Sequence, residues 1–182
     1  MAISQQQLPG NPYFVGGTDV GIADGGTGVS SLPTGILVGA GAGAITSLTQ
    51  SESTFAPNVT LVGGAGNTVP VYTTNVGRHT RIGRQVFVEV YLNGDGGAEG
   101  AGTGTFNIAL PVTASANNQP GQVLVGTALN GSVSYLLTGE ILAAATTVAL
   151  STFNLIASEI LFTGADQNNV TRTVRLSFQY EV

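Results

Sequence analysis

The chain has 182 residues, a net charge of −5 and a pI near 4.5, and only 8% of its residues are charged. Nucleic-acid binders normally present a basic face, so this charge balance excludes nucleic acid as an expected partner. The chain has no lysine, no cysteine and one histidine, which excludes a P-loop, a Schiff base, a thiol nucleophile and the usual zinc sites.

The first 66 residues have the composition of an extended arm. They contain 14 of the 27 glycines and no arginine, so they offer too little apolar surface to offset the entropy of ordering them. Residues 1–20 are predicted to be a docking peptide for a partner protein, because buried aromatic side chains usually dominate such contacts. Its sizeable apolar anchors are Leu8, Tyr13, Phe14 and Val15.

Residues 21–66 are predicted to form a glycine-rich extended shaft or linker. Apolar side chains are spaced among Gly, Ala, Ser and Thr, and such a segment becomes ordered when copies of the chain cover it. The side chains expected to make these contacts are Leu32, Ile36, Leu37, Ile45 and Leu48. A capping-box pattern at Thr49–Glu52 predicts at most a turn or two of helix before Pro57.

Residues 67–182 are predicted to form an all-β domain, an antiparallel β-sandwich or jelly roll. Apolar residues alternate with polar ones, which indicates half-buried strands, and Asn130-Gly131 is a strong hairpin signal. No stretch approaches the roughly 20 apolar residues of a membrane span, so no membrane insertion is expected. The predicted strands cover residues 84–92, 105–110, 122–129, 132–137, 155–162 and 170–182.

Three arginines are a candidate ligand or ion-pair cluster: Arg84, Arg172 and Arg175. Arg172 interrupts the apolar face of the last strand, so its guanidinium must reach a carboxylate, a carbonyl or a chain boundary. Two interpretations stay open. One is an ion pair with an acid such as Glu89 or Glu181, and the other is a site for an anionic ligand.

Other chemistry-bearing residues favour structural interpretations. His79 is interpreted as a solvated or hydrogen-bonded residue at a strand edge rather than a base or a metal ligand. Residues 93–100 resemble part of a calcium loop but supply only two carboxylates, which favours a hairpin tip. Sugar binding on Tyr72, Tyr91 or Tyr135 is an open alternative. No enzymatic activity, metal or cofactor is predicted.

Two segments carry a resemblance to a known family. Asp24–Gly28 followed by Gly35–Leu48 resembles the module that recurs in the shafts of bacteriophage tail fibres and related virion appendages. Tyr72–Tyr91 resembles the entry to the β-sandwich head domains that often follow such shafts. The resemblance implies a homotrimer whose N-terminal arm attaches to the virion, and a projecting head related in shape to the complement and tumour-necrosis-factor jelly rolls.

The function expected from these observations is that of a bacteriophage virion structural protein, a short trimeric tail-fibre-like appendage. It would be made in the host bacterial cytoplasm and located in the virion. Its expected partners are its own copies and another protein of the tail or capsid. Two alternatives stay open: a capsid decoration or head fibre, and a lectin-like receptor-binding module that recognises a host-surface glycan.

Overall fold

A computed structural model of the chain describes residues 36–40, 43–48, 50–117, 125–153 and 159–182. The chain divides into two units, Met1–Gln50 and Ser51–Val182. In the first unit, strands β1 (Ile36–Ala40) and β2 (Gly43–Leu48) form an antiparallel pair, with Ile36 opposite Leu48.

The described residues of the second unit contain one turn of 3₁₀ helix at Gly164–Gln167 and the remaining strands, the first of which begins at Gln50, the last residue of the first unit. The strands are β3 (Gln50–Phe55), β4 (Val59–Val62), β5 (Thr74–Ile82), β6 (Gln85–Asp95), β7 (Thr105–Ala109), β8 (Val125–Asn130), β9 (Val133–Glu140), β10 (Thr147–Phe153), β11 (Glu159–Leu161) and β12 (Thr171–Glu181). Strands β3 and β4 precede the composition change near residue 67 that marks the start of the expected head domain. Among the described residues, no helix is long and apolar enough to cross a membrane.

The ten strands from β3 to β12 form one curled antiparallel sheet in the described part of the chain. Its order is β3-β5-β6-β12-β8-β9-β10-β7-β4, with β11 added beside β10. The prediction of an all-β fold is therefore confirmed. Strand β12 lies between β6 and β8 and pairs with β6 along its whole length, from Thr171 opposite Asp95 to Glu181 opposite Gln85.

The predicted hairpin at Asn130-Gly131 is confirmed, with its turn one residue later than the sequence signal. Asn130 pairs with Val133, so the two turn residues are Gly131 and Ser132. Gly131 has a φ of 60° and Ser132 has a negative φ, which is the pattern of a type II′ turn with glycine at its first central position. This turn matches the twist of the flanking strands and sets the register between β8 and β9.

The core is built by the inward-facing residues of the alternating strands. In β12, Val174, Leu176, Phe178 and Tyr180 are buried while the residues between them are half-buried or exposed. The Tyr180 hydroxyl accepts a hydrogen bond from the Val112 amide at 3.2 Å and donates one to the Val112 carbonyl at 2.6 Å. Burial raises the pKa of Tyr180 to about 12. This pair fixes the segment after β7 against the core.

The described residues after Thr49 form a strand instead of the turn or two of helix that the capping-box pattern allowed at most. Gln50–Phe55 is strand β3, which adds to the edge of the sheet beside β5. Local side-chain capping is worth about 1 kcal/mol. A ladder of backbone hydrogen bonds to an existing strand outweighs it.

Candidate functional site

The three candidate arginines do not form a cluster. Arg172 and Arg175 are three residues apart on β12, so their side chains lie on opposite faces of the sheet. Arg172 is fully buried and Arg175 is exposed. Arg84 lies at the turn between β5 and β6, beside the far end of β12. An anionic ligand could not contact all three guanidinium groups.

Arg172 binds backbone carbonyl oxygens. Its Nη1 donates to the Asn169 carbonyl at 2.7 Å, and its Nη2 donates to the carbonyls of Val71, Ala98 (2.8 Å) and Gly96 (3.4 Å). No carboxylate within the described residues forms an ion pair with it. Of the partners expected for Arg172, backbone carbonyls are the ones observed. Through them the guanidinium links three segments of the chain.

The residues around Arg172 leave space for its long side chain. Gly94 is opposite Arg172 in the β6–β12 ladder, and a Cβ at Gly94 would lie 2.7 Å from Arg172 Nε. The Arg172 guanidinium carbon lies 5.5 Å from the centre of the Tyr72 ring, a favourable cation–π distance. Burial raises the pKa of Tyr72 well above its usual value, although the charge of Arg172 lowers it. The Tyr72 hydroxyl donates to Gln167 Oε1 at 3.0 Å.

The same contacts determine what the loop at residues 93–100 does. Its carbonyls at Gly96 and Ala98 bind the Arg172 guanidinium, so these oxygens point toward a cation that the chain itself supplies. Among the described residues, no group of three His, Asp or Glu side chains could hold a metal ion. The expectation of a hairpin tip was wrong, because β6 pairs with β5 and β12 while the next strand, β7, pairs with β10 and β4, so the segment connects strands that are not neighbours.

Arg84 forms an ion pair with Glu181, one of the two acids expected to pair with the arginines. Its Nη2 lies 3.7 Å from Glu181 Oε2, and the two side chains are 62% and 39% exposed. Exposed pairs of this kind contribute at most about 1 kcal/mol. Glu89, the other candidate acid, lies on the outward side of β6 opposite Arg78 and forms no ion pair within the described residues.

The three tyrosines proposed as sugar platforms have partners on their rings. Tyr72 has Arg172 beside it and the edge of Phe106 at a centroid distance of 6.5 Å. Tyr91 has the Arg175 guanidinium 5.1 Å from its centroid. Tyr135 packs on Phe162 at 5.5 Å. Each ring is used, at least on one side, in contacts within the chain.

His79 is half-buried against an aromatic ring. The Phe55 ring lies 6.0 Å from the imidazole in an edge-to-face arrangement. Its Nδ1 is buried and has no hydrogen-bond partner among the described residues. The imidazole therefore packs against Phe55, and it also lines a groove together with Glu52, Arg78 and Glu89.

The outward side of the central strands is an extended surface with exposed apolar residues and charges of both signs, which sequence reasoning missed. Val76, Tyr91, Arg175, Thr127 and Leu136 are successive register partners across β5, β6, β12, β8 and β9. We call this side of the five strands the outer face. The sequence contains an indication of this surface, because apolar residues also occur among the outward-facing positions of the alternating strands.

Two adjoining grooves lie on the outer face. One, of about 520 Å³, is lined by Glu52, Arg78, Phe87, Glu89 and Gln179 among others. The second, of about 260 Å³, is lined by Val76 and Arg175 and shares Arg78 and Glu89 with the first.

The arm also exposes apolar side chains within its own unit. Leu37 is 43% exposed and Leu48 is 40% exposed on the β1–β2 hairpin, and Val38 of the same hairpin is also exposed. Ile36 and Ile45 belong to the same two strands. The remaining predicted contact residues, Leu8, Tyr13, Phe14, Val15 and Leu32, lie outside the described residues.

Comparison of the chain with protein-family models, with curated proteins and with solved structures finds no match. The functional inference therefore depends on the geometry and chemistry of the described residues and on the resemblance of the two sequence segments.

Proposed function

We propose that the protein is a homotrimeric structural component of a bacteriophage virion, a short tail-fibre-like appendage attached by its N-terminal arm. The observation that carries the proposal is the exposure of Leu37, Val38 and Leu48 on the glycine-rich hairpin β1–β2. Leu37 lies on one face of the hairpin and Val38 and Leu48 lie on the other. Exposed apolar side chains on both faces need cover, because an isolated hairpin is at best marginally stable in water.

Copies of the same hairpin provide suitable cover. Small residues around the apolar ones allow backbones to approach closely, and closed symmetric oligomers place identical surfaces around one axis. The compact unit Ser51–Val182 would be the projecting head, with its curled sheet arranged as a jelly roll. The resemblance of Asp24–Gly28 and Gly35–Leu48 to tail-fibre shafts supports threefold rather than twofold symmetry.

The oligomeric state is the first test. We expect the full-length protein at micromolar concentration to have three times the chain mass of 18.3 kDa, measured by sedimentation or light scattering. Substituting Leu37 and Leu48 together by Ser should increase dissociation on dilution, since each buried leucine contributes about 1.5–3 kcal/mol. Val62→Ser is the control, because Val62 is an exposed strand residue of the second unit. A monomeric wild-type chain would contradict the proposal.

The second test concerns attachment. Deletion of residues 2–20 should leave a folded trimer that no longer joins virions, because the predicted anchors are removed while β1–β12 remain. The measurement is the amount of protein that copurifies with particles assembled in cells that make only the truncated form. Normal incorporation would show that another segment docks. Electron microscopy of labelled wild-type particles would distinguish a tail appendage from a capsid fibre by location and copy number.

A further inference from the structure

We propose that the two adjoining grooves on the outer face bind a short uncharged oligosaccharide, with Phe87 as the ring on which a sugar unit stacks. This inference goes beyond the proposed structural role and does not depend on the oligomeric state. It is carried by the size of the grooves, by the free polar groups that line them and by one exposed aromatic ring.

The larger groove has the size of a small-ligand site. Its volume of about 520 Å³ lies within the ~300–1,000 Å³ typical of such sites. The adjoining groove of about 260 Å³ shares Arg78, Glu89 and Ser177 with it and extends toward Val76 and Tyr91. The two together form an elongated depression, which suits a linear chain of sugar units.

The ladder between β5, β6 and β12 fixes the arrangement of the groove. Phe87 lies opposite Thr80 of β5 and opposite Gln179 of β12. Glu89, two residues further along β6, lies opposite Arg78. All five residues line the larger groove, so the aromatic ring is bordered by polar side chains on the same face of the sheet.

The polar side chains of the groove have unused hydrogen-bonding capacity. Opposite charges directly across two strands usually attract each other, yet Arg78 and Glu89 form no ion pair in the described part of the chain. Glu52 and Gln179 likewise form no hydrogen bond or ion pair there. The groove therefore offers both donors and acceptors, and a sugar hydroxyl group can satisfy either because it donates and accepts.

The charges favour an uncharged ligand. The two grooves together carry the guanidinium groups of Arg78 and Arg175 and the carboxylates of Glu52 and Glu89. A charged ligand of either sign would meet two like charges, and like charges brought together are unfavourable. The outer face around the grooves also carries acidic residues, which disfavour an anionic ligand further: Asp95, Glu140 and Glu181.

The apolar exposure favours a sugar over a protein partner. Phe87 is 43% exposed and stands among polar neighbours, whereas the centre of a protein–protein interface is depleted of charged residues. A sugar ring has an apolar C–H face edged by hydroxyl groups. This pattern matches an aromatic ring with polar groups around it.

The experiment measures binding of the full-length chain to an array of short oligosaccharides. The array holds neutral hexose and N-acetylhexosamine chains beside sialylated and uronic-acid-containing ones, and calorimetry gives the affinity for the best-bound saccharide. We expect binding to neutral saccharides. Phe87→Ala should weaken it at least about tenfold because the stacking ring is removed. Glu89→Gln should weaken it by about tenfold because a charged acceptor is lost.

Two variants of the same face serve as matched controls. Leu136→Ala removes an apolar side chain that is 56% exposed outside the grooves, and Glu140→Gln neutralises an exposed acid on β9. Both should bind like the wild type. Circular dichroism of all four variants checks that they are folded, which we expect because the four side chains are exposed.

The outcomes separate this inference from the proposed function. A folded chain that binds no saccharide on the array overturns the site, as does binding that Phe87→Ala and Glu89→Gln leave unchanged. Binding of acidic saccharides alone overturns the assigned ligand class. Sedimentation of the same samples gives the oligomeric state. A monomer that binds neutral saccharides through the groove would contradict the proposed trimer and leave the site standing.

Discussion

Replacing Arg172 by methionine should destabilise the compact unit by about 3 kcal/mol, because several part-buried hydrogen bonds to backbone carbonyls are lost at once and leaving such a group unpaired costs about 1–3 kcal/mol. The side chain is fully buried and donates to carbonyls of Val71, Ala98 and Asn169. Methionine fills much of the space but donates nothing. Since domains of this size are stable by about 5–15 kcal/mol, a large share of the stability would be lost.

Arg175→Met is the matched control for this experiment. It makes the same substitution on the same strand, three residues away and on the exposed face. It removes one cation–π contact with Tyr91, which at an exposed site contributes about 0.5–1 kcal/mol. Urea unfolding at equal chain concentrations gives the two free-energy changes, and equal concentrations matter because association is linked to unfolding. Equal losses for the two variants would show that the Arg172 contacts do not stabilise the fold.

Phe106→Ala should have a comparable or larger effect, a loss of about 3–5 kcal/mol in the free energy of unfolding. Phe106 is fully buried on β7 and contacts the ring of Phe162 at a centroid distance of 5.4 Å and the ring of Tyr72 at 6.5 Å. Truncation leaves a cavity between two aromatic neighbours and removes both edge-to-face contacts. The combined loss of stability exceeds the free energy of transferring the ring from water to the core.

The control for Phe106→Ala is Leu142→Ala, an apolar truncation at a position that is 54% exposed between β9 and β10. We expect it to change the free energy of unfolding by less than about 0.5 kcal/mol. Thermal and urea unfolding, monitored by circular dichroism, measure both variants. A similar small effect at the two positions would mean that β7 does not pack into the core as described.

The strands were predictable where a local pattern determines them. The alternation in residues 170–182 predicted β12 and its buried face, and the residue type of Arg172 alone indicated that it must find a polar partner. Asn169 is a local partner, three residues away, but Val71 and the Gly96–Ala98 segment are distant in sequence, and no local pattern encodes that these segments meet. Glu181 was a candidate partner and does pair, but with Arg84, because the ladder between β6 and β12 places these ends together.

The features that sequence reasoning missed have the same cause. Residues 50–55 join the sheet through hydrogen bonds to β5, which a local capping pattern cannot anticipate. The composition of the outer face depends on which strands become neighbours. In the sequence alone, Phe87 and Leu136 are therefore indistinguishable from other strand residues. Gly94 is a further example, since its lack of a side chain matters only because Arg172 lies opposite.

The central position of β12 has a consequence for the order of folding. Among the described strands, its two ladder partners, β6 and β8, are joined to each other only through β12. Until that strand is in place the sheet consists of two separate pieces, each with an unpaired edge. Contacts between distant segments form slowly, and exposed strand edges in partly folded chains promote aggregation. Docking of β12 therefore removes an exposed edge from each piece, and a variant that slows this step should aggregate more during refolding.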